Sequence, residues 1–128
     1  MSGGSSEYMA AYINNGVSEL TVYGGNLFNA PAEYKDVYTP SGETQAGNYA
    51  AASTKKGDAI YETSTTSPGF TAWYVDASYM PYTSTPFFLR GGYQTQGTDT
   101  GAFNFAMANG TYYSNCAIRA VLIVNDTL

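Results

Sequence analysis

The chain has 128 residues, a net charge of −5 and only five lysine and arginine residues. This length suits one domain over residues 1–128, and the scarcity of basic residues argues against nucleic acid and anionic membrane surfaces as partners. No apolar run reaches the roughly 20 residues of a membrane span, so we expect no membrane insertion, and a single cysteine forms no internal disulfide.

The chain combines 13 tyrosines and 14 glycines with only 12% charged residues. Tyrosine with Ser, Gly and Asn is the mixture that antibody-like recognition surfaces use. Tyrosine is also a good strand former on half-buried faces, and both interpretations stay open for the chain as a whole. Recognition is favoured where tyrosine lies in glycine-rich loops, at Tyr93, Tyr112 and Tyr113.

In the first quarter of the chain the periodicity indicates short extended elements. Tyr8, Ala10 and Tyr12 alternate, although the same segment would also place a stripe on a helix. We favour a strand over residues 1–13. A second strand or extended segment is predicted for residues 17–23, after the turn signal Asn14–Gly16.

The middle of the chain has little periodicity. Short helices are predicted over residues 32–37, with Pro31 in the first turn, and over residues 59–62. The rest of residues 26–68 is expected to form loops packed by their own side chains. Trp73, the only tryptophan, is expected in the core.

The last third reads as three strands separated by two polar loops. Phe87–Leu89 is apolar, Tyr93–Thr100 is a loop, and a closing strand is predicted over Ala117–Val124. Residues 102–108 alternate with a period of two, which predicts one buried and one free face. The buried set is Phe103, Phe105 and Met107, and the free set is Asn104, Ala106 and Ala108.

The order of Arg-Gly-Gly, a polar loop, Gly-x-Phe and a final arginine resembles a known pattern. Its matching residues are Arg90, Gly91, Gly92, Gly97, Gly101, Phe103, Arg119 and Leu122. The pattern is similar to the C-type-lectin-like fold of the formylglycine-generating-enzyme type, as in ligand-binding proteins diversified by retroelements and in related phage and bacterial surface proteins. The resemblance implies an α+β, loop-rich domain with short antiparallel strands.

The chain departs from this family at several positions. They are Gln94 in place of Trp, Thr100 in place of Ala, Ala117–Ile118 in place of Gly-Phe, and Ala120 where Pro is common. Residues 1–8 resemble a family stretch that relatives precede with further helices. Either residues 26–68 cover the sheet face thus exposed, or the domain associates with a copy of itself or another chain; we favour association.

The residue types argue against catalysis. The chain has no histidine, Cys116 has no base beside it in sequence, and the loop after Arg90–Gly92 lacks the cysteines that the related enzymes use. Cys116 is therefore expected to be a small or buried structural thiol. The acidic residues are scattered, and Asp99 stands alone without a calcium-loop pattern. We expect no enzymatic activity, no metal and no cofactor.

Arg90 and Arg119 lie in apolar segments, where a guanidinium needs a partner, so both are predicted to tie loops to the sheet through carbonyls or through Glu7. Gly91–Gly92 is predicted to allow close backbone approach or a bulge.

The remaining polar positions are predicted to form a ligand-binding surface, since in the diversified relatives the matching positions vary and face the ligand. They are Tyr93, Gln94, Thr95, Gln96, Thr98, Asp99, Asn104, Ala106, Ala108, Asn109, Tyr112, Tyr113 and Asn115. The resemblance implies a receptor-binding or adhesion module on a phage tail or bacterial cell surface, with a protein or a cell-surface glycan as ligand. The alternative is a structural virion decoration or pilin-like subunit.

Overall fold

The computed structural model describes residues 4–52 and 58–119, which form a small mixed α+β domain built on a sheet. Within these residues the strands are β1 (Ser6–Ile13), β2 (Asp36–Tyr38), β3 (Phe87–Arg90), β4 (Phe105–Ala108) and β5 (Cys116–Ala117). The α-helices are α1 (Glu19–Val22), α2 (Gly25–Asn29) and α3 (Gln45–Ala51), and 3-10 turns span Ala32–Tyr34, Trp73–Val75 and Gly97–Asp99. No helix in the described part is long and apolar enough to cross a membrane.

The sheet has the order β2-β1-β3-β4, and β5 pairs with β1 as well. Strands β1, β3 and β4 are antiparallel neighbours, whereas β2 and β5 both run parallel to β1. Strand β5 pairs with the start of β1 at Ser6–Glu7, and β2 pairs with its end at Ala11–Ile13. The strand predicted within residues 1–13 is confirmed over Ser6–Ile13, and residues 1–3 lie outside the described residues.

One face of the sheet carries the larger apolar cluster. Phe88 and Phe105 pack there with Ile13, and the chain between β2 and β3 supplies the cover. The covering side chains are Ala52, Ile60 and Met80, and Tyr38 of β2 belongs to the same cluster. Tyr38 lies against Phe88 with ring centroids 4.9 Å apart. Residues 26–68 thus supply part of the cover for this face, which was one of the two alternatives stated from the sequence, and association with another chain stays a prediction.

The opposite face carries a second cluster of Tyr12, Leu20 and Phe87. Leu20 comes from α1, and Leu27 and Phe28 of α2 pack against the same cluster. Residues 26–68 therefore contribute to both faces. Both clusters bury aromatic rings, which provide more apolar area per residue than aliphatic side chains.

Arg90 ends β3 and ties the sheet to the loop before residue 60, as predicted. Its guanidinium donates to the carbonyl oxygen of Asp58, and the Asp58 carboxylate accepts from the Tyr38 hydroxyl. Burial of the guanidinium lowers the pKa of Arg90. The nearby Tyr38 and Asp58 side chains act in the opposite direction, because they favour the charged form of Arg90. Arg119 forms its predicted ion pair with Glu7, at 2.9 Å, although Arg119 lies outside the strands and its side chain is 60% exposed.

Three predicted elements differ from the structure. Residues 17–23 hold α1 instead of a strand, with Leu20 buried, Glu19 half-buried and residues 21–23 exposed. A buried residue flanked by exposed ones fits a short strand and a single helical turn equally well. Residues 59–62 form a turn and not a helix, and of residues 32–37 only Ala32–Tyr34 is helical, as a 3-10 turn, before β2 begins.

The alternation predicted over residues 102–108 is only partly correct. The strand begins at Phe105, which is fully buried, while Phe103 and Met107 are half-buried. Asn104 and Ala108, predicted to be free, are buried, and Ala106 is half-buried. Both faces of the sheet are covered around β4. A period of two therefore does not distinguish a solvent-exposed face from a buried face at this strand.

Strand β5 is also shorter than the closing strand predicted for residues 117–124. It comprises Cys116–Ala117, and Ile118 and Arg119 lie outside it. Residues 120–124 lie outside the described residues.

Candidate functional site

The loop that follows β3 is compact and depends on its glycines. Gly91 and Gly92 have φ angles of 87° and 62°, in the region that favours glycine. A Cβ on Gly92 would lie 2.8 Å from the Thr100 hydroxyl oxygen, so the predicted close backbone approach is confirmed at Gly92. The Thr100 hydroxyl and the Gln96 N–H both donate to the carbonyl of Tyr93, at 3.2 and 2.9 Å.

Hydrogen bonds on both sides hold this loop against the body of the domain. The Gln94 N–H donates to the Gly4 carbonyl at 3.2 Å. The Asp99 carbonyl accepts from the Ala77 N–H at 3.0 Å and from the Asn104 side-chain amide at 2.9 Å. Asn104 is therefore a buried support of the loop and not a ligand-facing residue, which corrects its assignment to the binding surface.

Six predicted site residues remain on the loop surface. Gln94, Thr95 and Thr98 are exposed, and Tyr93, Gln96 and Asp99 are half-buried. They offer hydroxyl, amide and carboxylate groups to solvent, which suits polar recognition. We call residues 93–100 the recognition loop.

The other predicted residues lie mostly on the segment between β4 and β5. Tyr112 is 88% exposed and Tyr113 is 40% exposed. The Asn109 amide oxygen accepts from the Thr111 N–H at 3.0 Å and from the Tyr113 hydroxyl at 3.1 Å, so this segment is internally bonded. We call residues 109–115 the tyrosine segment.

The recognition loop and the tyrosine segment come from different parts of the chain. Among the described contacts, no hydrogen bond or ring contact joins them directly. Both border the start of β1, since Gln94 bonds to Gly4 and the Asn115 carbonyl accepts from the Ser6 N–H at 2.9 Å. Ala106 is half-buried and Ala108 is buried within β4, so Ala108 does not contribute to either surface.

A surface that sequence patterning missed lies beside the recognition loop. Trp73, Tyr74 and Val75 are 55%, 82% and 65% exposed, which overturns the prediction that Trp73 is core. Phe103 lies against both rings, with centroids 5.1 Å from Trp73 in an edge-on arrangement and 6.0 Å from Tyr74 in a stacked one. We call these four residues the aromatic patch.

The backbone beneath the aromatic patch is strained. Tyr74 and Val75 have φ angles of 63° and 64°, and a β-branched residue in this region is a genuine outlier. Such conformations cost on the order of 1–3 kcal/mol each and persist only where surrounding contacts impose them. The Val75 N–H donates to the Ala72 carbonyl at 3.1 Å, and the Trp73 N–H donates to the Thr63 carbonyl at 2.7 Å.

Asp76 joins the strained turn to the segment that carries Phe103. Its side chain is buried, and its carboxylate accepts from the Phe103 N–H at 2.9 Å. Gly101 leaves the space for this carboxylate, since a Cβ there would lie 2.0 Å from an Asp76 oxygen. The aromatic patch is thus fixed to the base of the recognition loop.

The sequence contains one signal for the aromatic patch. Trp73, Tyr74 and Val75 are three consecutive large side chains beside turn-forming residues. Three successive side chains of an extended or tightly turned segment cannot all point into one core, so at least one must face solvent.

The remaining chemically reactive side chains are the acidic residues and one cysteine. No group of three or more His, Cys, Asp or Glu side chains there is placed to hold a metal ion. Cys116 is a free, half-buried thiol, and burial raises its pKa, so it is less ionised at neutral pH than an exposed cysteine.

A surface groove of about 640 Å3 runs along β1 between the ends of β5 and β2. Its lining includes Met9, Val22, Tyr23 and Ile118, all of them exposed. Tyr8–Ala10 of β1 have no strand partner on this side among the described residues. The groove thus combines exposed apolar side chains with this stretch of β1.

The fold and surface define a mixed α+β domain that presents a polar loop and an exposed aromatic patch at one end of a five-stranded sheet. No protein-family model, curated protein or solved structure matches this chain.

Proposed function

We propose that this protein is a non-enzymatic ligand-binding domain that uses the recognition loop and the adjoining aromatic patch as its binding surface. The observation that carries the proposal is the exposure of Trp73 and Tyr74 on a turn whose strained backbone is held by buried hydrogen bonds. Exposed aromatic side chains are the commonest energetic anchors of binding surfaces. Strain maintained at a surface turn is typical of sites where a ligand is held.

The scaffold supports this role. The sheet is packed on both faces, and the loop is bonded to it through Gly4, Ala77 and Asn104. Recognition residues on loops held by a rigid scaffold bind at a lower entropic cost than mobile ones. The Arg90–Gly92 turn before the loop agrees with the resemblance to the C-type-lectin-like fold of the formylglycine-generating-enzyme type, which we propose as the scaffold.

The proposal includes the setting that the resemblance implies. We infer a receptor-binding or adhesion module of a phage tail or bacterial surface structure, with a protein or glycan of the host surface as its ligand. The surface offers aromatic rings, hydroxyls and amides, which bind without covalent chemistry.

The test is binding of the purified, fluorescently labelled domain to candidate host cells. Substitution Tyr74→Ala should reduce the bound fraction about tenfold, since truncation of an anchor typically costs more than 1 kcal/mol. Tyr34→Ala is the matched control, because Tyr34 is 53% exposed on the turn before β2 and makes no part of the proposed surface. Equal binding by wild type, Tyr74→Ala and Tyr34→Ala would contradict the proposed site.

The tyrosine segment is tested separately. The double substitution Tyr112→Ala with Tyr113→Ala should leave the melting temperature nearly unchanged, because Tyr112 is 88% exposed and the Tyr113 hydroxyl bonds only within its own segment. Loss of cell binding in the double variant would add the tyrosine segment to the site. Unaffected binding would limit the site to the recognition loop and aromatic patch.

A second candidate, a structural virion decoration or pilin-like subunit, is favoured by the groove along β1. Its exposed Met9, Val22 and Ile118 and the unpaired stretch of strand edge are features of subunit contacts. Sedimentation at micromolar concentration, with Val22→Glu as the disrupting variant, separates the two candidates. A stable oligomer that Val22→Glu dissociates would support the subunit role, and a monomer in both forms would refute it.

A further inference from the structure

We propose that Asn109 is a modification site, at which the folded protein converts an asparagine to an aspartate without an enzyme. The observation that carries this inference is the convergence of three hydrogen-bond donors on the side-chain oxygen of Asn109, directly before Gly110. The modified residue belongs to the tyrosine segment, and its chemistry is separate from the proposed ligand binding.

The sequence contains two Asn-Gly pairs, Asn15–Gly16 and Asn109–Gly110. Such pairs mark turns, and they are also the pairs in which the asparagine side chain is attacked most easily. The attacking atom is the backbone nitrogen of the next residue, and glycine has no side chain to obstruct its approach. The two pairs are therefore chemically alike, and their surroundings decide which asparagine reacts.

The reaction needs water as its only co-reactant. The Gly110 nitrogen bonds to Cγ of Asn109, the Cγ–Nδ2 bond breaks, and the Gly110 N–H proton leaves with the Nδ2 group as ammonia. Water then opens the cyclic imide at Cγ to give aspartate, or at the backbone carbonyl carbon of residue 109 to give isoaspartate. Each attack on Cγ places negative charge on Oδ1 in the transition state, where hydrogen-bond donors stabilise it.

Three donors surround the oxygen that carries this charge. Asn109 Oδ1 accepts from the Thr111 N–H at 3.0 Å, from the Thr111 hydroxyl at 2.8 Å and from the Tyr113 hydroxyl at 3.1 Å. A neutral amide oxygen has two lone pairs, so three donors suit an anionic oxygen better than the amide that is present. The arrangement has the composition of an oxyanion hole.

The same contacts position the reacting atoms. The hydrogen bond from the N–H of Thr111, two residues further on, turns the Asn109 side chain forward over the Gly110 peptide. Within the described part, the Gly110 N–H donates to no backbone carbonyl and lies beside the Tyr8 hydroxyl. Asn109 Nδ2 donates to no described residue. The group that must leave is therefore not held by a described acceptor.

Asn15 has the opposite surroundings. Its Nδ2 donates to the Thr83 carbonyl at 2.6 Å, and among the described residues its Oδ1 accepts from the Val17 N–H at a long 3.5 Å. The amide that would have to leave is bound, and the oxygen that would gain charge is weakly supported. An aspartate at this position would direct a carboxylate at the Thr83 carbonyl, with no proton to donate at neutral pH. The fold thus protects Asn15 and favours reaction at Asn109.

The product of the reaction suits its site. An aspartate at position 109 keeps an oxygen for all three donors, and such donors bond more strongly to a carboxylate than to an amide. The donors also polarise the Cγ carbonyl of the imide, so water should attack Cγ and leave the backbone unchanged. The modification adds a negative charge to the tyrosine segment next to Tyr113.

The experiment follows both asparagines in the purified full chain during incubation at mildly alkaline pH. Peptide mapping by mass spectrometry measures the conversion of each residue, in buffer and in urea. In the folded protein Asn109 should convert at least about tenfold faster than Asn15, and in urea the two rates should become similar. The ratio of aspartate to isoaspartate at position 109 should be higher in the folded protein than in urea. Conversion of Asn15 at the same rate as Asn109 or faster, in the folded protein, would overturn the assignment.

Two variants test the donors. Tyr113→Phe and Thr111→Val each remove one hydroxyl and should each slow the conversion of Asn109 about fivefold or more, without a change at Asn15. Tyr112→Phe is the matched control, because the neighbouring Tyr112 is 88% exposed and makes no described bond to Asn109. Circular dichroism checks that each variant is folded. Wild-type rates in both donor variants would refute the role of the donors.

The product is also tested directly, by the melting temperatures of two variants at neutral pH. Asn109→Asp should melt at or above the temperature of the wild type, because three donors await the carboxylate. Asn15→Asp should melt several degrees lower, because its carboxylate meets the Thr83 carbonyl. A melting temperature of Asn109→Asp no higher than that of Asn15→Asp would contradict the proposal.

Discussion

The substitution Asp76→Ala tests whether one buried carboxylate holds the aromatic patch in place. Asp76 is 3% exposed, and its carboxylate accepts a 2.9 Å hydrogen bond from the Phe103 N–H. A hydrogen bond to a charged group contributes about 1.5–3 kcal/mol, and removal of the acceptor leaves the donor unsatisfied. We expect the free energy of unfolding to fall by about 2 kcal/mol, which corresponds to a decrease in melting temperature of about 8 °C for a domain of this size.

Urea denaturation followed by circular dichroism measures this loss, with Asp76→Asn and Glu33→Ala as comparisons. Asp76→Asn retains an oxygen that accepts from Phe103 and should lose less than half as much stability. Glu33 lies exposed on the turn before β2, and its removal should leave the midpoint unchanged. Asp76→Ala should also weaken ligand binding, because the strained turn is no longer tied to Phe103. An unchanged unfolding midpoint for Asp76→Ala would show that the turn is held by other contacts.

Three further predictions concern the core, a glycine and alkaline pH. Phe105→Ala should lower the free energy of unfolding by about 3–5 kcal/mol, because the ring is fully buried between the sheet and its cover; a urea-unfolding loss below 1 kcal/mol would contradict that packing. Gly110→Ala should lower the free energy of unfolding by about 1–3 kcal/mol. The φ angle of Gly110 is 96°, and a Cβ there would lie 2.6 Å from the Tyr23 Cβ and 2.8 Å from the Phe87 ring. An unchanged melting temperature in calorimetry would refute this close approach. Burial raises the pKa of Tyr8 from 10.0 to about 12, so the folded state holds this proton more tightly than the unfolded chain. Its contribution to stability is complete below pH 10 and is lost as the pH rises through 12, and Tyr8→Phe should reduce the fall in melting temperature measured over that interval.

The amino-acid sequence alone indicated several structural features correctly. The strand near the amino end, the apolar strand Phe87–Arg90 and the close backbone approach at Gly92 follow from local requirements. A guanidinium beside apolar residues needs an acceptor, which predicted that Arg90 bonds to a carbonyl or a carboxylate, and the Asp58 carbonyl is that acceptor. An exposed, polar and glycine-broken loop at residues 93–100 likewise follows from composition.

Tertiary packing decided the burial of Asn104 and the exposure of Trp73. A period of two states which side chains share a face, but not whether a distant segment covers the other face. Here the chain between β2 and β3 covers one face and the α1–α2 segment covers the other, so residues predicted to be free became buried. Trp73 is exposed because hydrogen bonds to Thr63 and Ala72, together with the Asp76 carboxylate, hold its turn away from the core. The contacts with Thr63 and Phe103 join residues that are distant in the chain, and local sequence does not identify such partners.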